Sequence, residues 1–319
     1  MNSADEPTPV RSRGAQLAVV GARAATRSSI MVDAPRDDRR ADSIFRALLY
    51  LGLGFALVGL ASIVIWALIA GWPRLDLGLL TNNPSTINID QAGYRPAILG
   101  TLYVISGVIV LILPLGVGAA LYMEEYADPT RWYNRVIDVN IQNLAGVPSI
   151  VFGILGLAFI VRGPLGLGFV AAAGSLTLAL LVLPTIILSS REAIRAVPPS
   201  IRQGALALGA TQWQTIRTQV LPAARPGILT GLILSVARAV GEAAPLLLVG
   251  ATVFVTFDPR LFSGGYSTLP VMIFQYAKRP QDEFRLLAAA GVIVMLGIVL
   301  VMNSFAVWLR NRYERELAA

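Results

Sequence analysis

The chain has 319 residues, 55% of them hydrophobic and 14% charged, with no cysteine and no histidine. Such a composition is far from that of a soluble domain, and it removes disulfides, thiolate chemistry, the usual zinc ligands and any Ser-His-Asp arrangement. A formal net charge of +7 would point to nucleic acid in a soluble protein; in so apolar a chain it fits basic loops beside a membrane.

Residues 1–45 carry Pro, Ser, Ala, Asp and Arg without sustained apolar periodicity, which predicts a disordered tail. The apolar piece from Ala15 to Ala22 is too short and weak for a signal peptide, and Met31 offers an alternative start beside Met1. Residues 1–30 bury too little apolar surface to offset the entropy of ordering them, so they are expected to be dispensable.

Six apolar segments follow, each near the ~20 residues that cross a bilayer. They lie at roughly 46–70, 97–122, 140–161, 167–189, 227–256 and 286–309, and predict an all-α integral membrane domain over 46–316. Pro114, Pro148, Pro184 and Pro245 fall inside spans, where neighbouring helices can satisfy the backbone groups that a kink frees. Gly227 and Gly231 give a GxxxG spacing, suited to close helix approach or simply to membrane-helix composition. Trp66, Trp72, Trp132 and Trp308 fit interfacial anchors, and Tyr276, Lys278 and Arg279 read as a solvated or interfacial face. With the N-terminus inside, 18 of the 26 Lys and Arg residues lie on the cytoplasmic side and 7 outside, with Arg238 in an apolar run. That bias puts both termini and the loop 190–226 in the cytoplasm.

The loop has an internal grammar. Ser200 with Gln203, and Thr211 with Gln214, have capping-box spacing, and Pro198-Pro199 suits an entry turn. Gly209 falls between them, where a helix end needs left-handed geometry. The pattern predicts a short helix, a glycine turn and a second short helix. Ile201, Ala205 and Leu208 share one face of the first, and Trp213, Ile216 and Val220 one face of the second. Leu221-Pro222 and Arg225-Pro226 then close the unit before the membrane. Taken alone, helix–glycine–helix also fits a DNA-binding module with Arg202 and Arg217 on phosphates, or an amphipathic element lying on lipid headgroups. Its position between two spans excludes nucleic acid as the partner.

This run resembles the cytoplasmic loop of ABC-importer permeases, whose pattern is E-A-A, three residues, G, nine residues, I-x-L-P. Ala205, Gly209, Leu221 and Pro222 match it; Gln203, Gly204 and Gln219 stand where that family has Glu, Ala and Ile. The resemblance implies that the loop docks on an ATPase, with Ile201, Gln203, Ala205, Leu208, Gly209, Leu221 and Pro222 carrying the contact. Gln203 would offer a neutral hydrogen bond there rather than an ion pair. Three further stretches, NLAGVPSIVFGILGL from Asn143, ARAVGEAAPLLLVGA from Ala237 and the run from Ser267 to Arg315, resemble phosphate-specific permeases of the PstA type. The likeness covers about residues 46–316. It implies six transmembrane helices in the type I ABC-importer permease fold and a PstC-like second permease. It also implies a dimer of ATPase subunits, an extracytoplasmic phosphate-binding protein, and inorganic phosphate as cargo, in a lipid membrane. No resident cofactor or metal is implied. The chain has no glycine-lysine pair and hence no P-loop, so ATP belongs to another subunit and this chain is a transporter subunit rather than an enzyme.

Arg238 and Glu242 are the charges of the fifth apolar run. Each would cost ~2.5–3.5 kcal/mol at the centre of a lone membrane helix, so neither is expected to face lipid. At i and i+4 they can pair with one another, as a structural salt bridge or as the polar element of an anion path. Two other classes remain: a secondary transporter, for which one intramembrane acid offers little ion coupling, and a membrane scaffold or enzyme, for which acid-base groups are lacking. An ABC permease for another oxyanion is a further alternative.

Overall fold

The computed structural model describes residues 38–251 and 255–318, so the expectations for the tail up to 37 lie outside the described residues. The chain forms two compact units, Met1–Val64 and Ile65–Ala319. Helix α1 (Asp38–Gly71) starts before the expected 46, and residues up to Val64 belong to the first unit. There Leu48, Leu51, Phe55 and Leu57 are exposed, as side chains meeting lipid are.

The second unit is a helical bundle. A turn at Trp72–Arg74 and α2 (Leu77–Thr81) lead to α3 (Arg95–Leu121), which ends in a π turn at Tyr122–Tyr126. Then come α4 (Trp132–Ala145), α5 (Ser149–Leu155) with a π turn at Gly156–Val161, and α6 (Ala171–Arg195). The loop helices are α7 (Pro199–Ala207) and α8 (Gln212–Thr215), followed by a π turn at Ile216–Val220 and α9 (Leu221–Gly241). The chain closes with α10 (Ala244–Leu248), α11 (Leu269–Ala277) and α12 (Asp282–Ala318).

Helix α6 is the centre. Its apolar window is 72% buried, against 33% for that of α3, and its first turns present Ala171, Ala172, Ala173, Gly174 and Ser175 to neighbours on all sides. Small side chains let α3 come close, and the Ser175 hydroxyl donates to the carbonyls of Ala171 (3.0 Å) and Val104 (3.1 Å), so no polar group is stranded there. On the other side α9 lies against α6 through Gly227 and Gly231. A Cβ on either glycine would run into Ala193 or Ser189, so the GxxxG spacing does serve close approach.

Two spans differ from expectation. The third is broken: α4 and the stretch Ser149–Val161 meet at 109°, with Gly146, Val147 and Pro148 at the corner. The physical reason is local. Helix α4 is polar along one side, with Arg135, Asp138 and Gln142, and Pro148 has no N–H with which to continue a helix. The fifth span does not run 227–256. It begins inside the expected loop and forms one helix from Gln212 to Gly241, then stops where Glu242 turns to ψ 116°. Pro245 opens α10 just beyond. Pro148 and Pro245 therefore mark helix starts rather than kinks, and the two restarted segments pack together, Gly153 lying against Pro245. Among the described residues there are five long apolar helices, or six spans if the bent pair counts as one.

At the end where α3 begins, Tyr276 corrects the expected solvated face. It is fully buried, edge-on to Tyr94 at 5.7 Å and 5.4 Å from Phe284. Lys278 and Arg279 lie over Phe274 and Phe284 at 4.3 and 4.5 Å. Burial holds the Tyr276 phenol well above its ordinary titration range, so it stays protonated.

Candidate coupling loop and charge pair

The loop between α6 and α9 keeps the expected helix–glycine–helix order, with two changes. Helix α7 starts at Pro199 with Pro198 as its cap and no side-chain cap bond, so the Ser200–Gln203 box is absent. Proline needs no N–H partner in a first turn, which removes the demand that a serine cap would meet. The second box is present: Thr211 Oγ1 accepts from Gln214 N (3.2 Å) and Gln214 Oε1 accepts from Thr211 N (2.8 Å). Between them Gly209 has φ +83°. The N–H of Ala210 bonds to the carbonyl of Ala205 (3.1 Å) and that of Gly209 to Leu206 (3.0 Å), a Schellman ending that only a residue at ease with positive φ completes.

The second change concerns Leu221 and Pro222. They do not close the unit before the membrane but lie within the continuous helix, Leu221 starting α9 and Pro222 in its first turn. The π turn just before them widens the coil where Pro222 cannot donate. Ile216 and Val220 are buried, whereas Trp213 on the same expected face is exposed. On α7, Ile201 and Gln203 are exposed, Ala205 is half-buried and Leu208 is 91% exposed. A solvent-facing leucine at a helix end, beside exposed Leu206 and Ile201, leaves an apolar surface that nothing among the described residues covers.

What holds this loop to the bundle was not legible as a site. Glu124 and Glu125, in the π turn after α3, receive three arginines. Arg191 Nε reaches Glu124 Oε1 at 2.8 Å and its Nη1 pairs with Asp138 of α4. Arg195 Nη2 shares the same Glu124 oxygen at 2.8 Å. Arg202, on α7, puts Nε and Nη2 on Glu125 Oε1 at 3.0 and 2.8 Å. It also donates to the carbonyls of Val197 (2.6 Å) and Ile194 (2.8 Å). Arg191 and Glu124 are almost wholly buried, so this is a desolvated network and not surface decoration. In the sequence these arginines counted only as loop charge. The available signal was the adjacent acids Glu124-Glu125 closing an apolar run that faces an arginine-bearing loop.

The other charged place is the break after α9. Arg238 Nε lies 3.8 Å from Glu242 Oε1, with the arginine side chain 40% exposed and the glutamate 19%. At that distance the contact is an ion pair without a hydrogen bond, and among the described residues Arg238 has no hydrogen-bond partner. The helix buries Ser235, Val236, Ala239 and Val240 around it, while the Arg238 side chain stays partly exposed. Neither the network nor this pair contains a nucleophile with a base, and no group of His, Cys, Asp and Glu suited to a metal occurs among the described residues.

Apolar helices interrupted beside charge, with a polar loop fastened outside them, fit a membrane transport subunit. Comparison with known proteins agrees. The family described as binding-protein-dependent transport system inner membrane component matches residues 112–315. A phosphate transport system permease protein, PstA 1 of Mycobacterium tuberculosis (strain CDC 1551 / Oshkosh), is 33% identical over 252 residues, covering 77% of this chain and 81% of its own. PstA of Haemophilus influenzae is 31% identical over 271 residues, covering 83% and 92%. A probable ABC transporter permease of Bacillus subtilis, YqgI, is 32% identical over 277 residues, covering 82% and 92%. In fold, a bacterial alginate ABC transporter chain superposes with a TM-score of 0.61 at 15% identity, over 85% of this chain and 94% of that one. The chain belongs to the binding-protein-dependent transport system inner membrane component family. It is a multi-pass inner-membrane permease subunit of an ABC importer, working with ATPase subunits, a substrate-binding protein and another permease subunit, and it does not itself hydrolyse ATP.

Proposed function

We propose that this subunit forms half of the path of an ATP-driven inorganic phosphate importer, paired with a PstC-like permease. Both termini and the loop 190–226 then lie in the cytoplasm, and Ile201, Gln203, Ala205, Leu208 and Gly209 form the dock for the ATPase, with Leu221 and Pro222 carrying its motion into α9. The observation that carries the reading is the Arg238–Glu242 pair: two charges in an apolar run, partly exposed on this subunit, at a place where the helix stops. Charge and unwound backbone are both too costly against lipid, so that face is covered by protein or lines a wet path. A guanidinium offers paired donors to phosphate oxygens, and Glu242 limits the positive field so that the anion is released. An ionised carboxylate also accepts the hydrogen that phosphate carries and sulfate lacks. The names of the relatives favour phosphate as cargo.

The test sets Arg238→Lys, which keeps charge but loses the planar fork, beside Arg238→Gln and Glu242→Gln. Assembly and ATPase activity are checked in each, and phosphate uptake is measured in vesicles with sulfate as competitor. Intact complexes with uptake lowered by at least about tenfold support the path, the size expected for losing a charge-assisted hydrogen bond. Wild-type uptake in all three removes both residues from it, and failed assembly assigns them to structure.

A further inference from the structure

We infer that Arg202 and Glu125 form a clasp that fastens the coupling helix α7 to the ends of α3 and α6, and that this clasp stays closed throughout the transport cycle. The inference rests on the docking reading of the loop.

The geometry is unusually complete for one side chain. The Arg202 guanidinium makes four hydrogen bonds, two to Glu125 after α3 and two to carbonyls of the α6 terminus, Ile194 and Val197. Those carbonyls belong to the last turn of α6 and the residues after it, where a helix leaves its acceptors unsatisfied. One rigid fork thus joins the ends of α3 and α6 to α7. Glu125 is 9% exposed and Arg202 23%, so opening the pair would leave a carboxylate shielded from water. A second bond ties the same place from the other helix: Gln212 Nε2 at the start of α8 donates to the carbonyl of Glu125 (2.6 Å). The Glu125 residue is therefore held from both sides of the Gly209 turn.

The outward face of α7 takes no part in this. Gln203 and Leu206 of α7, and Leu208 just after it, are exposed, so a partner can bind there without disturbing the clasp. A pull or push on that face reaches α3 and α6 together through Arg202, and α9 through the continuous helix from Gln212. Lysine cannot reproduce this fork, because a point charge on a flexible stem cannot hold two carbonyls and a carboxylate in one plane. Arg202 and Glu125 are positioning residues, since neither would meet ATP or cargo.

The experiment uses the whole importer complex, with phosphate uptake and ATP hydrolysis measured together in vesicles. Arg202→Lys and Glu125→Gln are expected to keep the ATPase bound while the phosphate moved per ATP falls by about tenfold or more. Glu125→Asp, which keeps the acid, is expected to restore part of that ratio. The chain has no native cysteine, so Glu125→Cys combined with Arg202→Cys can be bridged by a short bifunctional thiol reagent. Bridging should recover uptake in the double variant if the clasp stays closed, the same treatment of the cysteine-free chain being the control. Uptake that remains lost after verified bridging shows that the helices must part, and overturns the inference. A wild-type ratio in Glu125→Gln overturns it too, while an ATPase that never bound the unaltered loop would instead sink the docking reading.

Discussion

The two charged regions of this subunit treat arginine in opposite ways. At the loop end, Arg191, Arg195 and Arg202 are spent: carboxylates meet them near 2.8 Å, and the Arg202 fork is further filled by carbonyls. At the break after α9, Arg238 has, among the described residues, one ion pair at 3.8 Å and donors to spare. The contrast separates fastening from function. A buried ion pair is tolerated only when its hydrogen bonds are complete, so the loop end reads as a joint. On the proposed reading, a charge kept in an apolar run with donors unspent is poised for something that comes and goes.

The sharpest way to break that comparison is to delete one arginine from each region. Arg191→Ala leaves Glu124 and Asp138 short of a partner and should destabilise the subunit by about 3–5 kcal/mol, seen as a lower unfolding midpoint and poor recovery from detergent. Arg238→Ala should cost about 1 kcal/mol or less in the same assay, as for a solvated pair, while uptake falls. Equal unfolding shifts for the two variants would dissolve the distinction.

A smaller effect is expected at the turn. Gly209→Val places a β-branched residue at φ +83°, a strain of about 1–2 kcal/mol. The protein should still insert, but with α7 turned away from its place uptake should drop relative to ATP hydrolysis. Normal uptake would remove the loop from the coupling role and leave it a joint only.

The smallest pair of effects asks which helix start matters. Thr211→Ala removes a complete capping box and should cost about 1 kcal/mol, read as faster amide exchange at residues 213 to 215. Ser200→Ala removes nothing that the structure uses, so exchange in α7 should not change. The opposite ranking would mean that α7, and not α8, depends on its cap.

These particulars also show what was readable beforehand. Long apolar runs, the Gly209 ending and the Thr211 box follow from local chemistry, so they were legible. The breaks were not. Pro148 and Pro245 looked like tolerable kinks, because a proline inside an apolar run carries no sign of whether a neighbour will satisfy the backbone it frees. The start of the fifth helix was missed for the converse reason. Pro222 reads as a boundary unless the π turn before it is known, and nothing in Ile216–Val220 announces one. The arginine network was hidden because pairing across 67 or 77 residues leaves no spacing rule to find. Arg238 and Glu242 stood out only because charge is rare among apolar neighbours.

That π turn has a mechanical meaning. It lets one uninterrupted helix run from Gln212, beside the exposed α7 face, to Gly241, where the chain unwinds. From Gln212 to Arg238 the rise is ~39 Å at ~1.5 Å per residue. A rod of that length behaves as a beam pivoting on its tight seat against Ala193 and Ser189. A rotation of about 15° about that seat, a size known for rigid-body switching, would move Arg238, which lies ~13 Å beyond it, by ~3.5 Å. On the proposed reading of that pair, a shift of this size would carry the guanidinium of Arg238 out of hydrogen-bond reach of a bound anion.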